Sequence, residues 1–231
     1  MNFIANILGI VLKVIFGVVH SYGLAIILFT VIIKLILTPL TIKQTKSTHA
    51  MAEISPKVKE IQKKYKNNPE KQNIEISKLY KDAQINPLSG CLPLLIQMPI
   101  LLGLFWVLRD PVKYGVFESK AMLMAANSSF LWIKSLTKPD YILAIISGVS
   151  AFAMQKMMTP PDQPKQMKFM NLLIPAMSFY WGFIFPAGLT LYWSMSNIFQ
   201  VVQYYLITKP LKDKLAKNRE GVIENGKKNK N

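Results

Sequence analysis

The sequence predicts an all-α protein that crosses a membrane several times. Of its 231 residues, 51% are hydrophobic and 17% charged, yet 28 Lys and Arg against 12 Asp and Glu give a formal net charge of +16. Three runs, 14–33, 83–108 and 169–208, contain no Asp, Glu, Lys or Arg. The last can cross a hydrocarbon core of about 30 Å twice, at about 20 residues per span. This composition, with its single cysteine, excludes a soluble enzyme, a disordered basic tail and a disulfide-stapled secreted module.

Residues 1–20 predict an amphipathic helix that lies in the membrane interface. Polar or small residues recur every three or four positions from Asn2 to Gly17, and aliphatic residues fill the other faces. The alternative is a sixth span. We favour the interfacial helix because Lys13 would otherwise lie near the middle of the bilayer.

Hydropathy then predicts five spans. They lie at about 22–42, 91–108, 141–158, 169–185 and 187–207. A proline and a glycine at 185–188 separate the last two, which predicts a tight helical hairpin. Pro93, Pro99 and Pro175 fall inside spans and are expected to kink or locally unwind them.

The distribution of lysine predicts the orientation. Segment 43–86 holds ten Lys against five acidic residues, and segment 208–231 holds eight Lys and Arg against three. The link at 156–168 adds three Lys against one Asp, whereas 109–140 is more balanced. Basic loops stay in the cytoplasm, so we expect the N-terminus outside and the C-terminus inside.

The segment 47–86 is expected to form a cytoplasmic helical hairpin. Ser55-Pro56 is typical of a helix start, and Asn67-Asn68-Pro69 of a break before a second amphipathic helix. The chain is therefore expected to have three parts: an interfacial helix at 1–20, a five-span core at 21–208 that includes this hairpin, and a basic cytoplasmic tail at 209–231.

Enzymatic chemistry is not indicated by any motif. No His, Cys and carboxylate cluster has the spacing of a metal site, no nucleophile has a neighbouring base, and no nucleotide-binding fingerprint occurs. We therefore expect no catalytic residue, no metal and no cofactor.

Lys34 is the one charge deep inside a predicted span. A lysine at the centre of a span costs about 2.5–3.5 kcal/mol on insertion scales. Thr30, Lys34 and Thr38 are spaced four residues apart, so they form one polar stripe along an aliphatic helix. Such a stripe is expected to face a hydrated cavity, where the cation would attract an anionic solute or an acidic side chain of another protein.

The fifth span is unusually polar for a membrane helix. It carries Tyr192, Trp193, Ser196, Asn197 and Gln200, and the second span adds Gln97. These side chains either line the same cavity or bridge neighbouring helices. For Asn197 and Gln200 the two interpretations have equal weight.

The cytoplasmic lysines admit three interpretations. They orient the protein, bind anionic lipid headgroups, or bind ribosomal RNA. The candidate contact residues are Lys57, Lys59, Lys63, Lys64, Lys212, Lys214 and Lys217.

Two long motifs resemble one known family. Residues 86–100 read NPLSGCLPLLIQMPI, and residues 185–193 read FPAGLTLYW, followed by Ser196-Asn197 and Gln200. Together they closely resemble the YidC/Oxa/Alb family of membrane protein insertases, over about residues 3–208. The chain looks like the short bacterial form, without the large extracytoplasmic domain.

The resemblance implies five spans around a hydrophilic groove that opens to the cytoplasm and to lipid. In the family, a positive residue of the first span draws hydrophilic parts of a client protein into the groove. Lys34 occupies that position, where the family usually has arginine, so charge is kept and the planar five-donor fork is lost. Thr30, Tyr192 and Trp193 match groove or client-contact positions. Met98 and Pro99 match client-contact positions.

The resemblance also implies a function in a bacterial plasma membrane. The protein would insert and help fold membrane proteins without nucleotide hydrolysis, driven by hydrophobic transfer of the client. Nascent membrane proteins, the ribosome, the secretion channel and anionic lipids are the expected partners, with no small-molecule substrate. An anion transporter using Lys34 and a non-catalytic assembly scaffold are the alternatives, and the lack of inverted repeats argues against the transporter.

Overall fold

The computed structural model describes residues 2–86, 92–126, 129–158 and 165–217. In these ranges the chain is helical apart from turns and one isolated antiparallel bridge between Phe130 and Ile133, so the predicted all-α class is confirmed. The helices are α1 (Asn2–Val19), α2 (Tyr22–Lys64), α3 (Pro69–Asp82), α4 (Leu92–Arg109), α5 (Lys120–Ala126), α6 (Tyr141–Met158), α7 (Lys165–Gly182) and α8 (Ala187–Gln203). A π-helical turn, Tyr204–Thr208, follows α8 and leads into helical residues 209–217.

The helix α2 is continuous over 43 residues, or about 65 Å at 1.5 Å per residue. It passes through Pro39 and Pro56. The prediction that a new helix starts at Ser55-Pro56 is therefore wrong. A proline removes one backbone hydrogen bond from a helix and tends to kink it, but the hydrogen bonds on either side can keep the helix continuous. A serine before a proline is thus compatible with both a helix start and a helix interior.

Proline also leaves the other helices continuous. Pro99 lies inside α4 and Pro175 inside α7, and both positions are helical. Local unwinding, one of the two outcomes expected there, is not observed. Pro93 falls in the first turn of α4, where the missing N–H has no intrahelical partner to lose.

One compact unit comprises Met1–Leu37 and Gln97–Leu206. Its core combines the buried faces of α1, α2, α4, α6 and α8 with the segment between α4 and α6. Buried members include Leu8, Leu12, Ile26, Phe29, Leu104, Leu108, Leu143 and Leu189. The segment between α4 and α6 contributes Tyr114, Phe117, Ile133 and Leu136, although its sequence predicted only a connection.

Small residues bring α1 close to its neighbours. A Cβ on Gly103 of α4 would lie 2.9 Å from Leu8, and a Cβ on Gly9 would collide with the carbonyl oxygen of Tyr114. The Phe117 ring packs edge-on against Phe16 at 4.9 Å between centroids. Close approach of helices at small residues is typical of membrane proteins. The helix α1 is thus fixed along one face by van der Waals contact.

The helices α6, α7 and α8 pack together in the same unit. A Cβ on Gly182 of α7 would lie 2.7 Å from Ala144 of α6, so these two helices touch backbone to backbone. The chain turns between α7 and α8, and Pro186 is the N-cap of α8. This turn lies within the predicted breaker at 185–188 and the residues just before it.

Large apolar side chains cover much of the exposed surface of these helices. On α2, Ile32, Leu35 and Ile36 are 41%, 57% and 67% exposed. In the described ranges, α2 alone is both long and apolar enough to cross a membrane, and Phe3–Val19, Ile96–Arg109 and Tyr141–Met157 form shorter apolar helices. The number of five spans stays a prediction.

The second compact unit comprises Thr38–Ile96 and Ile207–Asn231. It contains the C-terminal part of α2, a turn and α3. The Asn68 side chain caps α3 by accepting a hydrogen bond of 3.0 Å from the Lys71 amide, and Pro69 is the first residue of α3. The Gln72 side-chain amide donates a hydrogen bond of 3.2 Å to the Gln62 backbone carbonyl, which connects α3 to α2.

Candidate functional site

The polar stripe of α2 faces the protein interior within the first unit. Lys34 is buried, with 8% of its surface exposed, and Thr30 is fully buried. The Thr30 hydroxyl donates to the Ile26 carbonyl at 2.7 Å, so it is satisfied within its own helix. Thr38, the next residue of the stripe, is partly exposed and belongs to the second unit. The stripe therefore has an inward orientation at Thr30 and Lys34, opposite the exposed aliphatic face.

Tyr192 is the point at which α2, α4 and α8 meet. The Gln97 amide of α4 donates a hydrogen bond of 2.6 Å to the Tyr192 hydroxyl. The Tyr192 ring is buried and lies 6.4 Å from the Phe29 ring, which directly precedes Thr30 on α2. A buried phenol needs a polar partner, and a glutamine on a neighbouring helix supplies it. The predicted polar residues of the second and fifth spans are thus brought together.

A polar line continues along α8 from Tyr192. Ser196 follows one turn later and Gln200 one turn after that, so the three share one face. The Ser196 hydroxyl is buried beside the Tyr192 hydroxyl. The Gln200 amide, which is half-buried, donates to the Ser196 carbonyl at 3.4 Å. This arrangement suits either a cavity lining or a helix contact, so both interpretations of Gln200 remain.

Asn197 instead bridges two helices. Its side chain is 2% exposed and donates to the Ser150 hydroxyl of α6 at 3.3 Å. The Gln155 amide of α6 likewise donates to Asn171 of α7 at 2.7 Å. Of the two interpretations of Asn197, the structure supports the helix bridge.

Trp193 points away from the face of Tyr192 because adjacent helical residues are about 100° apart. Its ring lies 5.4 Å from Trp181 of α7, which in turn lies 5.9 Å from Phe185. Trp193 therefore belongs to an aromatic stack between α7 and α8 rather than to the polar line.

Met98 and Pro99 lie on the outer surface of α4. Met98 is 42% exposed, and Pro99 is also exposed. Gln97, their neighbour, points inward to Tyr192. The helix thus presents a polar contact on one face and an accessible apolar surface on the other.

The predicted basic contact residues are accessible in the second unit. All are exposed except Lys212, which is half-buried: Lys57, Lys59, Lys63, Lys64, Lys214 and Lys217. The ammonium groups of Lys64 and Lys71 lie 5.4 Å and 5.3 Å from the Tyr65 ring centre. Cation–π contacts of this kind orient lysines without neutralising them.

Sequence reasoning missed Phe29 and Ser150. Phe29 carries no polar signal in an apolar span, so its contact with Tyr192 was not predicted. Ser150 lies in a run of small residues, Ser147 to Ala151, whose small side chains are a signal of close helix packing. In the described part of the chain, no group of three His, Cys, Asp or Glu side chains could hold a metal ion.

The fold and this site define a helical membrane protein with a buried lysine on α2 and a buried polar contact between α4 and α8. Residues 14–214 match the family model described as 60Kd inner membrane protein. The chain therefore belongs to this family, the YidC/Oxa/Alb family of membrane protein insertases, and the predicted resemblance is confirmed.

Several relatives resemble the chain over most of its length. The membrane protein insertase YidC of Clostridium perfringens is 42% identical over 216 residues, covering 89% of this chain and 86% of the relative. That of Fusobacterium nucleatum is 39% identical over 210 residues, covering 90% and 96%. A solved structure, described as an active YidC insertase crystal structure with the first transmembrane domain resolved, has a TM-score of 0.62 and 31% identity. The match covers 83% of this chain and 43% of that one.

Proposed function

We propose that the protein is a membrane protein insertase and chaperone that works without nucleotide hydrolysis and is not an enzyme. The observation that carries this proposal is the 42% identity to a protein named as an insertase, over 89% of this chain. The buried lysine on the inward face of α2 supplies a physical basis for the activity.

In the proposed arrangement, the N-terminal half of α2, α4, α6, α7 and α8 are five spans around a hydrophilic groove. The interfacial helix is 1–20, the five-span core 21–208 with the cytoplasmic hairpin 47–86, and the tail 209–231. The N-terminus lies outside and the C-terminus in the cytoplasm. Lysine-rich segments at 43–86 and 208–231 support this orientation.

The groove in this proposal takes its charge from Lys34 and its polar lining from neighbouring helices. The lining residues are Thr30, Thr38, Gln97, Tyr192, Ser196 and Gln200. An effective dielectric constant of 20 gives an attraction of about 4 kcal/mol between Lys34 and a client carboxylate 4 Å away. This attraction is of the same size as the insertion penalty of about 2.5–3.5 kcal/mol for a charged residue. It would therefore lower the barrier to bringing a short acidic segment into the membrane.

The client itself supplies the driving force. Removing one large aliphatic side chain from water is worth about 1.5–3 kcal/mol, so a span of about 20 apolar residues supplies tens of kcal/mol. Met98 and Pro99 are proposed to contact the client span, since both are accessible and methionine adapts to varied surfaces. Trp193 is proposed to act at the edge of the groove through its stack with Trp181.

The partners follow from the client and from the basic surface. Nascent membrane proteins are the clients. The exposed lysines of the second unit are proposed to contact the ribosome or anionic lipids, and the secretion channel is a further partner. The cell membrane of a bacterium is the proposed location.

Insertion into liposomes tests this function. The purified protein is reconstituted alone and given a single-span client with an acidic N-terminal tail, and protease protection of the tail is measured. We expect protection to fall with Lys34→Ala and to survive with Lys34→Arg, which keeps the charge. Lys156→Ala is the matched control, because Lys156 lies exposed near the end of α6 and should leave protection unchanged.

The outcomes separate the function from its mechanism. Protection that is unchanged in Lys34→Ala would keep the insertase and contradict the electrostatic role of Lys34. If the folded wild-type protein gives no more protection than empty liposomes, the insertase proposal fails. Anion flux would then favour the transporter, and its absence the scaffold.

A further inference from the structure

A cavity of about 370 Å³ lies at the C-terminal end of α4, in the first unit. Its lining consists of Trp106, Arg109, Asp110, Lys113 and Tyr114. None of the proposed groove residues belongs to this lining. It combines two cations, one carboxylate and two aromatic rings, a composition that suits an anionic group with an apolar attachment.

The charges of the cavity favour an anion. An Asp110 carboxylate oxygen accepts a hydrogen bond of 3.2 Å from the Lys113 backbone amide, so it is engaged in the turn. Within the described part of the chain, no carboxylate oxygen lies within 4.0 Å of a side-chain nitrogen of Arg109 or Lys113. Two cations against one carboxylate leave the lining with a net positive charge.

Aromatic rings hold both cations in place. The Arg109 guanidinium carbon lies 5.7 Å from the Phe105 ring centre and 6.0 Å from that of Trp106. The Lys113 ammonium lies 5.6 Å from the Tyr114 ring. Cation–π contacts leave N–H donors available to a ligand. Trp and Tyr beside Arg and Lys are the residues that membrane proteins place at the level of the lipid headgroups.

An exposed apolar ridge leads along α4 to this cavity. Met98, Leu102 and Trp106 are spaced four residues apart and are 42%, 36% and 39% exposed. The twelve residues from Met98 to Arg109 span about 16 Å, at 1.5 Å per residue, which is half of a hydrocarbon core of about 30 Å. A ridge of this length that ends at two cations matches the acyl chain and phosphate of one lipid in one leaflet.

We propose that the cavity binds the phosphate of an anionic glycerophospholipid, whose acyl chain lies along the ridge of Met98, Leu102 and Trp106. This proposal rests on α4 being a span, as the proposed function has it. Arg109 and Lys113 bind the phosphate oxygens, and the ridge selects a lipid over free phosphate. The outer end of α4 would therefore carry a bound lipid.

Lipid titration of the full chain tests the proposal. The protein in mild detergent is titrated with dioleoyl phosphatidylglycerol, and bound lipid is counted by native mass spectrometry. Each cation is worth about 1 kcal/mol, or about fivefold in affinity, so Arg109→Gln with Lys113→Gln should weaken binding about 30-fold. Lys134→Gln with Lys138→Gln is the matched control, since both lysines are exposed in the same segment and outside the lining.

Three further arms make the outcome decisive. Arg109→Lys with Lys113→Arg should retain binding, zwitterionic phosphatidylcholine should bind more weakly, and inorganic phosphate should not displace the lipid at equal concentration. The proposal is overturned if the glutamine pair binds as the wild type does, if the control pair loses as much, or if inorganic phosphate competes equally. If the double variant Arg109→Gln with Lys113→Gln unfolds at a lower temperature than the wild type without lipid, Lys113→Gln alone replaces it. The expected loss of lipid affinity is then about fivefold.

The insertion assay run on the same preparations separates the two proposals. Insertion without lipid selectivity would contradict only the lipid site. Lipid selectivity without insertion would contradict only the insertase.

Discussion

The hydrogen bond between Gln97 and Tyr192 is expected to contribute measurably to the stability of the fold. In the structure, the Gln97 side-chain amide lies 2.6 Å from the Tyr192 hydroxyl. Tyr192→Phe removes that hydroxyl and leaves the amide without this acceptor. Hydrogen bonds between membrane helices average about 0.6 kcal/mol and reach about 1.7 kcal/mol. Because Tyr192 is 1% exposed and bound to an amide at short distance, we expect a coupling energy near 1 kcal/mol.

A double-mutant cycle measures this coupling. The variants are Tyr192→Phe, Gln97→Leu and their combination, and the readout is the free energy of unfolding of the full chain in mixed micelles. A coupling of about 1 kcal/mol corresponds to about fivefold in the unfolding equilibrium. Combining Tyr192→Phe with Gln155→Ala provides the control, because Gln155 bonds to Asn171 and shares no partner with Tyr192. The changes in the free energy of unfolding caused by Tyr192→Phe and Gln155→Ala should be additive within about 0.5 kcal/mol.

Additive free energies of unfolding for Tyr192→Phe and Gln97→Leu would contradict a stabilising hydrogen bond between the two side chains. If Tyr192→Phe and Gln97→Leu add within about 0.3 kcal/mol, the hydrogen bond contributes nothing beyond the water or lipid contacts that replace it. The contact of α2, α4 and α8 would then depend on apolar packing alone.

Four other substitutions test the fold. Gly9→Ala should destabilise the folded state by about 1–3 kcal/mol through overpacking. Gly17→Ala is the control: its added Cβ meets nothing within 4 Å, so it should be neutral or stabilise the fold by up to about 1 kcal/mol. Both changes are measured by thermal unfolding. Asn68→Ala should cost about 1 kcal/mol by removing the α3 cap, and amide exchange in the first turn of α3 would rise. Pro56→Ala should slow amide exchange around Ala52 if α2 is continuous there, and faster exchange would contradict the continuous helix.

Much of the helix pattern is readable from the sequence, because membrane spans need long apolar runs and breakers stand out against them. The break before Pro69 and the turn near Pro186 have strong local signals. The inward face of Thr30 and Lys34 follows from spacing by four residues. Pro56 was misread because its local signal is the same at a helix start and inside a helix.

The remaining contacts are non-local and have no local signal. An asparagine that bridges two helices has the same sequence context as one that lines a cavity, so the partner of Asn197 became known only with Ser150 of α6 in view. Phe117, which is buried between α4 and α6, packs against Phe16 and Tyr22. Both partners lie more than 90 positions earlier in the sequence, so hydropathy could not reveal the burial of Phe117. The groove itself stays a prediction.

The first amides of α8 are held by a distant part of the chain. Pro186 offers no side-chain cap, and the amides of Ala187 and Gly188 donate to the carbonyls of Lys138 and Leu136 at 2.8 Å each. These bonds fix the rotation of α8 about its own axis at its N-terminal end. A single residue inserted between Gly188 and Tyr192 would turn the rest of the helix by about 100° and carry its polar line off the face that meets α2. The direction in which the polar side chains of α8 point is thus set by two backbone hydrogen bonds at the start of the helix.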